Sequence, residues 1–154
     1  MSHKTILTYG TFDMFHIGHL ELLKRLKALG GKLIVAVSTD EFNKLKGKKT
    51  IIPYSQRISI VEAIQYVDMV IPENSWDQKI EDIQIYNVDI FAMGDDWSGE
   101  FDFLEEYCDV KYLSRTEGIS SSDLKEQLNK ISKIDIDDIN KAFDILQRLK
   151  YDFE

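Results

Sequence analysis

The chain has 154 residues, of which 44% are hydrophobic and 30% are charged, a composition that predicts one globular, soluble domain with its own core. The formal net charge of −8 argues against nonspecific binding to nucleic acid or to an anionic membrane surface. No apolar run reaches the length of a membrane span, no signal-peptide pattern opens the chain, and a single cysteine fits a reducing compartment. We therefore expect a cytoplasmic protein without membrane insertion.

Strand-like and helix-like segments alternate along most of the chain. Short apolar runs predict strands over residues 5–9, 33–37, 69–71, 89–93 and 110–113. Amphipathic segments predict helices over residues 19–29, 56–66, 75–86 and 120–131. Between the second strand and the second helix we expect a polar loop rich in lysine. Pro72 is expected to close the third strand, and Ser75 to cap the helix that follows it.

This alternation predicts an α/β fold: a Rossmann-like parallel sheet flanked by helices on both faces. Ligands of such sheets bind beyond the carboxyl ends of the strands. After residue 130 a further amphipathic helix follows, opened by Asp137 and Asp138, which we interpret as a packing or subunit-contact helix. The expected organisation is a domain over residues 1–130 and a C-terminal helical extension over residues 131–154.

His16 and His19 stand between the first predicted strand and its helix, with Gly18 between them. The pair could cap the helix, form half of a metal site, or bind an anion at the positive end of the helix. A zinc site lacks further ligands, because the other histidine is His3 and Cys108 stands alone. Gly10 ends the strand where a backbone or a ligand must come close, which favours a phosphate site.

Three other polar motifs follow predicted strands, and the fold predicts that all four converge at one edge of the sheet. The lysine loop, with Lys46 and Lys48, could be a solvated loop or could hold a polyphosphate. The Met93–Trp97 segment could be a turn, a contact to a base or sugar, or a metal ligand. Residues 115–122 combine an arginine, a glycine and several hydroxyls, which favours a second phosphate cradle. The P-loop, dinucleotide-binding and α/β-hydrolase motifs are absent from the sequence.

Two of these motifs together match a known family. Residues 10–19, with their His-Ile-Gly-His segment, and residues 115–122, Arg-Thr-Glu-Gly-Ile-Ser-Ser-Ser, resemble the two signatures of the HxGH nucleotidyltransferase superfamily. The lysine loop and the Met93–Trp97 segment resemble its cytidylyltransferase family, and within it the enzymes that act on glycerol 3-phosphate. The resemblance covers about residues 4–130. One departure is that the family has Ile-Ser-Thr-Thr where this chain has Ile-Ser-Ser-Ser, which keeps the hydroxyls.

The resemblance implies a role for each matching residue. The implied catalytic residues are His16, His19, Lys46 and Arg115. The implied nucleotide-binding residues are Tyr9, Gly10, Thr11, Phe12, Asp13, Gly94, Asp96, Thr116, Ile119, Ser120 and Ser121. The residues implied to bind the acceptor or the phosphates are Lys46, Lys48, Arg57 and Trp76, with Arg57 either a substrate contact or a structural residue.

The reaction that the resemblance implies joins CTP to sn-glycerol 3-phosphate by direct in-line attack on the α-phosphorus, giving CDP-glycerol for teichoic acid or another surface polymer. It also implies Mg²⁺ bound mainly through the triphosphate, and a homodimer. Two alternatives stay open: a related nucleotidyltransferase with another acceptor or nucleotide, such as an adenylyltransferase, and a non-catalytic nucleotide-binding module.

Overall fold

The computed structural model describes residues 3–115, 121–132 and 136–152. Within these ranges the strands are β1 (Lys4–Gly10), β2 (Gly31–Ser38), β3 (Met69–Glu73), β4 (Ile90–Gly94) and β5 (Asp109–Leu113). The α-helices are α1 (Ile17–Ala28), α2 (Asp40–Leu45), α3 (Tyr54–Glu62), α4 (Gln78–Ile85), α5 (Ser121–Ser132) and α6 (Ile136–Asp152). Two short 3₁₀ segments, Asp95–Trp97 and Asp102–Glu106, lie between β4 and β5.

The five strands form one parallel sheet in the order β3-β2-β1-β4-β5. Leu7 of β1 pairs with Ile34 of β2 on one side and with Phe91 of β4 on the other. The strand order reverses between β1 and β4, so the loops after these two strands diverge and leave an opening at their carboxyl ends. The predicted α/β fold is confirmed.

Successive apolar residues of each strand pack on opposite faces of the sheet. Leu7 and Phe91 belong to one core cluster, together with Ile83 of α4. Ile6 belongs to the other, with Leu23 of α1 and several neighbours. Because side chains alternate along a strand, runs that are apolar at every position require helices on both faces, as the sequence predicted.

We had expected a loop throughout the segment after β2, but this segment contains α2. Thr39 precedes this helix, and its hydroxyl accepts a hydrogen bond from the Phe42 N–H at 3.2 Å. Phe42 and Asn43 are buried, while Lys44 and Leu45 are exposed. A helix of six residues is too short to show a helical period in the sequence, and its lysines concealed the buried face.

Pro72 does not close β3, which continues to Glu73. Because β3 lies at the edge of the sheet, a residue without an N–H is tolerated there. Ser75 does not cap α4 either: the helix begins at Gln78, whose side-chain oxygen accepts hydrogen bonds from the N–H groups of Asn74 and Ser75 at 2.6 and 3.1 Å.

The chain divides into two compact units, residues 1–121 and 122–154. The second contains most of α5 and all of α6, and the expected C-terminal amphipathic helix is confirmed in α6. Ile139, Phe143 and Leu146 of that helix are more than half exposed. The functional boundary that we placed at residue 130 stays a prediction. Among the described residues, no helix is long and apolar enough to cross a membrane.

Candidate active site

His16 and His19 cap the start of α1 with their own side chains. His16 Nδ1 accepts a hydrogen bond from the Gly18 N–H at 3.0 Å, and His19 Nδ1 accepts one from the His16 N–H at 3.3 Å. The arrangement is a capping box in which imidazoles replace the usual hydroxyl and carboxylate. The cap interpretation of the motif and the functional one are therefore compatible, because each ring caps with only one nitrogen.

The remaining nitrogen of each ring is a donor. Since both Nδ1 atoms accept hydrogen bonds, the neutral rings hold their proton on Nε2, a tautomer that we assign from the hydrogen bonds. His16 Nε2 is buried and has no hydrogen-bond partner among the described residues. His19 Nε2 lies 3.4 Å from the Ser121 hydroxyl. The two rings stack with centroids 3.9 Å apart, so two N–H donors lie side by side, and an anion there would meet the His16 donor and the one that His19 directs at Ser121.

Both imidazoles are held in their neutral form. Burial, together with the neighbouring His16 ring, lowers the pKa of His19 to about 4, while Asp13 opposes the shift. Burial also lowers the pKa of His16, with a contribution from the positive charge of Arg115. Near neutral pH these rings are donors without a charge.

The loop between β1 and α1 has a strained backbone. Phe12 and Met14 have φ angles of 53° and 49°, in the left-handed region that side chains disfavour. The Phe12 ring lies against Gly10, where an added Cβ would be 2.6 Å from a ring carbon. Gly10 therefore allows a close approach, but the nearest atoms belong to the Phe12 ring and not to the backbone or ligand that we had expected. Such strain is common in loops that position ligands.

Asp13 holds this loop in place through hydrogen bonds to other segments of the chain. The residue is 2% exposed, and its carboxylate accepts hydrogen bonds from the N–H groups of Ile51 and Ile52 at 2.8 and 2.9 Å. Its backbone carbonyl accepts a hydrogen bond from the Ser121 hydroxyl at 2.7 Å. Asp13 therefore connects the histidine loop both to the end of the lysine loop and to the start of α5.

Arg57 is buried, and each of its three guanidinium nitrogens donates a hydrogen bond to a protein atom. It donates to the carbonyl oxygens of Thr11, Ser38 and Ile52 at 2.7–2.9 Å, and to the Asp40 carboxylate at 2.8 Å. Its residue exposure is 1%. Of the two roles that the sequence left open for Arg57, the geometry favours the structural one: it joins the carboxyl ends of β1 and β2 to the segment before α3.

Lys46 lies in a buried charged cluster that the sequence did not predict. Its Nζ is 3.6 Å from the Glu73 carboxylate, which also pairs with Lys79 at 3.3 Å. The three side chains are between 4% and 9% exposed. Burial lowers the pKa of Lys46, while Glu73 opposes that effect. One carboxylate between two ammonium groups leaves one positive charge in excess, which suits an anionic ligand.

Aromatic rings surround this cluster. Lys46 Nζ lies 4.4 Å from the centroid of Phe42, and Lys79 Nζ lies 4.5 Å from that of Tyr9. Trp76 is 54% exposed and lies within 5.6 Å of both ammonium groups. The acceptor-binding role expected for Trp76 stays a prediction. The side chain of Tyr9, which the resemblance implied in nucleotide binding, lies in this cluster and donates its hydroxyl hydrogen to Asp82.

Two further site residues, Asp96 and Arg115, follow β4 and β5, and we call this part of the site the rim. Arg115 Nε lies 3.2 Å from the Asp96 carboxylate, and both side chains are 55% exposed. Lys48 Nζ lies 5.9 Å from the centroid of Trp97, so the lysine loop reaches across to this rim. Gly94, at the end of β4, has open space where a side chain would stand.

The predicted convergence of the four motifs is therefore observed for the residues that the structure describes. Thr116, Ile119 and Ser120 lie outside those residues. The specific roles that we assigned to the site residues stay predictions.

Sequence reasoning missed Glu73 and Lys79, which complete the charged cluster. A signal for Lys79 existed: it stands four residues before the buried Ile83, on the inward stripe of α4, where a lysine is unusual. Glu73 gave no such signal, because it follows a proline at a strand end that we had placed two residues earlier.

Comparison with known proteins agrees with the geometry. Residues 7–127 match the family model described as cytidylyltransferase-like. The chain is 54% identical over 125 residues to a glycerol-3-phosphate cytidylyltransferase of Staphylococcus aureus, covering 81% of this chain and 95% of that protein. It is 56% identical over 125 residues to the enzyme of the same name from Bacillus subtilis, covering 81% and 97%.

A crystal structure of a lipopolysaccharide core biosynthesis protein from Thermoplasma volcanium superposes with a TM-score of 0.65 at 24% identity, covering 75% of this chain and 99% of that one. At that identity the likeness shows the fold alone. The family resemblance seen in the sequence is confirmed by the family model and by the two curated relatives.

Proposed function

Because the chain belongs to the cytidylyltransferase-like family, we propose that it transfers the cytidylyl group of CTP to sn-glycerol 3-phosphate. A phosphate oxygen of the acceptor attacks the α-phosphorus, the new P–O bond forms, and the bond to the bridging oxygen of the β-phosphate breaks. The products are CDP-glycerol and pyrophosphate. No covalent intermediate on the protein is needed, so positioning and charge stabilisation supply the rate enhancement.

The observation that supports this proposal best is the pair of neutral Nε2–H donors at the switch point of the sheet. Donors fixed before the reaction can stabilise the charge that develops on the α-phosphate and on the leaving pyrophosphate. Arg115, which faces His16 closely enough to lower its pKa, would add a positive charge to the same phosphate chain. Ser121 contacts His19 and would lie near the same phosphates.

The acceptor would bind in the cluster of Lys46, Glu73 and Lys79. Its phosphate carries up to two negative charges, and the cluster has one buried positive charge in excess. Trp76, half-exposed beside both lysines, would cover the bound alcohol. Lys48 would act at the nucleotide side, where it reaches Trp97.

We further propose that Mg²⁺ enters with the triphosphate. Residues 3–115, 121–132 and 136–152 contain no group of three histidine, cysteine or acidic side chains placed to hold a metal ion, so phosphate oxygens would supply most of its ligands. The ion would neutralise part of the phosphate charge. A cytoplasmic location, a homodimeric state and a supply of CDP-glycerol to teichoic acid or another surface polymer are parts of the same proposal.

The test is a substrate matrix. The purified chain is incubated with Mg²⁺ and each of CTP, ATP, UTP and GTP, with and without glycerol 3-phosphate, and pyrophosphate release is measured. We expect release only when CTP and glycerol 3-phosphate are both present. Release that is equal for all four nucleotides, or that does not need the acceptor, would contradict the proposal and favour a relative with another substrate.

A further inference from the structure

The side chain of Asn43 is a buried amide. The residue is 1% exposed, and neither Nδ2 nor Oδ1 has a hydrogen-bond partner among the described residues. Burying an amide without hydrogen bonds is costly, so a fold retains one where a partner arrives from outside the chain. The same property marks His16 Nε2, which we assign to the nucleotide phosphates.

Asn43 lies on the inward face of α2. Thr39 stands four residues before it and Lys46 three residues after it, which places the three side chains on one side of the helix. Lys44 and Leu45, on the other side, are exposed. Lys46 on the shared face reaches the Glu73 carboxylate, so Asn43 lies on the side of α2 that faces the charged cluster.

The backbone of Asn43 is fully engaged. Its N–H donates to the Thr39 carbonyl at 3.0 Å, and its carbonyl accepts from the Lys48 N–H at 2.8 Å. These two bonds hold the residue between the start of α2 and the lysine loop. They fix the direction in which the Asn43 side chain leaves the backbone, so the amide starts from a defined position.

We propose that Asn43 recognises the adjacent hydroxyl groups of the acceptor alcohol. A carboxamide offers one donor group and one acceptor atom side by side, and a vicinal diol offers the complementary pair. This inference rests on the proposed function, because it takes the acceptor to bind at Lys46. The ribose of CTP has a diol of the same chemistry, but the helix face that Asn43 shares with Lys46 points to the acceptor.

The experiment compares the wild type with Asn43→Leu, which is similar in volume and has no polar atoms. Each protein is assayed with glycerol 3-phosphate and with propyl phosphate, which lacks both hydroxyls. We expect kcat/KM for glycerol 3-phosphate to fall by about 10- to 100-fold in the variant, the equivalent of one or two lost hydrogen bonds. The value for propyl phosphate should stay within about two-fold, since that substrate never makes these bonds.

A second pair of substrates separates the two diols. CTP and 2′-deoxy-CTP are compared in both proteins with glycerol 3-phosphate saturating, and we expect the variant to keep the wild-type ratio. Loss of that ratio would assign Asn43 to the ribose and overturn the proposal. An equal fall for glycerol 3-phosphate and propyl phosphate would also overturn it, because Asn43 would then act on the fold of the site alone.

Thermal unfolding provides the structural control. Asn140→Leu makes the same chemical change at an exposed position of α6 and should alter neither unfolding nor acceptor preference. If Asn43→Leu does not fold, Asn43→Ser gives the same substrate comparison with a smaller side chain. Failure of the proposed function itself is distinct, since the wild type would then release no pyrophosphate from CTP and glycerol 3-phosphate.

Discussion

The low pKa of His19 predicts a specific dependence of stability on pH. In the folded protein burial lowers this pKa to about 4, whereas the ordinary value of 6.5 applies to the unfolded chain. Between these two values the unfolded chain binds the proton and the folded chain does not, so acid favours unfolding. His19 therefore leaves the free energy of unfolding undiminished above about pH 6.5 and lowers it progressively as the pH falls towards 4.

The size of the effect follows from the pKa difference. A shift of about 2.5 units corresponds to about 3 kcal/mol at 1.36 kcal/mol per unit. The variant His19→Gln removes the titration but keeps the cap, because glutamine is an ordinary capping-box residue at this position of a helix. Between pH 7 and pH 4 the wild type should therefore lose about 3 kcal/mol more than the variant.

Urea denaturation at half-unit steps of pH measures this difference. Carboxylates also titrate in the acid part of the range, but they are the same in both proteins and cancel in the comparison. His3→Gln, at an exposed position, controls for the loss of a histidine. Parallel pH curves for the wild type and His19→Gln would refute the reasoning, since they would mean that His19 is as easily protonated in the folded chain as in the unfolded one.

Three further predictions test the parts around the histidines. Arg57→Met leaves three carbonyl oxygens and a carboxylate without their donor, and should lower the free energy of unfolding by about 3 to 5 kcal/mol in urea denaturation. Gly10→Ala places a methyl group against the Phe12 ring and should cost about 1 to 3 kcal/mol by the same assay; an unchanged midpoint would mean that the ring moves aside freely. Lys79→Met keeps the stem and removes the ammonium group beside Glu73, so KM for glycerol 3-phosphate should rise by about 10- to 100-fold in steady-state assays while KM for CTP stays constant.

The sequence predicted the sheet because each buried strand is a run of apolar residues, and such runs need helices on both faces. It predicted the histidine site because a glycine, two histidines and an apolar helix follow one another without interruption. These signals are local, so no information about distant residues was needed. The errors at α2, Pro72 and Ser75 came from elements that are short or lie at an edge, where periodicity and turn preference give little guidance.

The charged cluster could not be predicted in the same way, because its members come from three separate segments. Lys46 follows α2, Glu73 ends β3 and Lys79 lies in α4, and only the parallel order β2-β3 brings them together. The roles of Asp13 and Arg57 also depend on contacts across 38 to 46 residues of sequence. The resemblance implied a nucleotide contact for Asp13 and a substrate contact or a structural role for Arg57, whereas the hydrogen bonds of both residues join the segments around the histidine loop.

The lysine cluster and the histidine pair differ in charge, and this difference suits the proposed reaction. Lys46 and Lys79 pair with Glu73 before substrate arrives, so in the proposed reaction they would act on the ground state of the acceptor, and their loss should appear in KM. His16 and His19 are neutral, so their attraction for a phosphate is weak at first and grows as charge builds on the α-phosphorus and its leaving group. A protonated imidazole would bind the triphosphate tightly from the start and would gain less in the transition state. Burial, the stacked second ring and nearby Arg115 all disfavour that proton, and loss of either imidazole should therefore appear mainly in kcat.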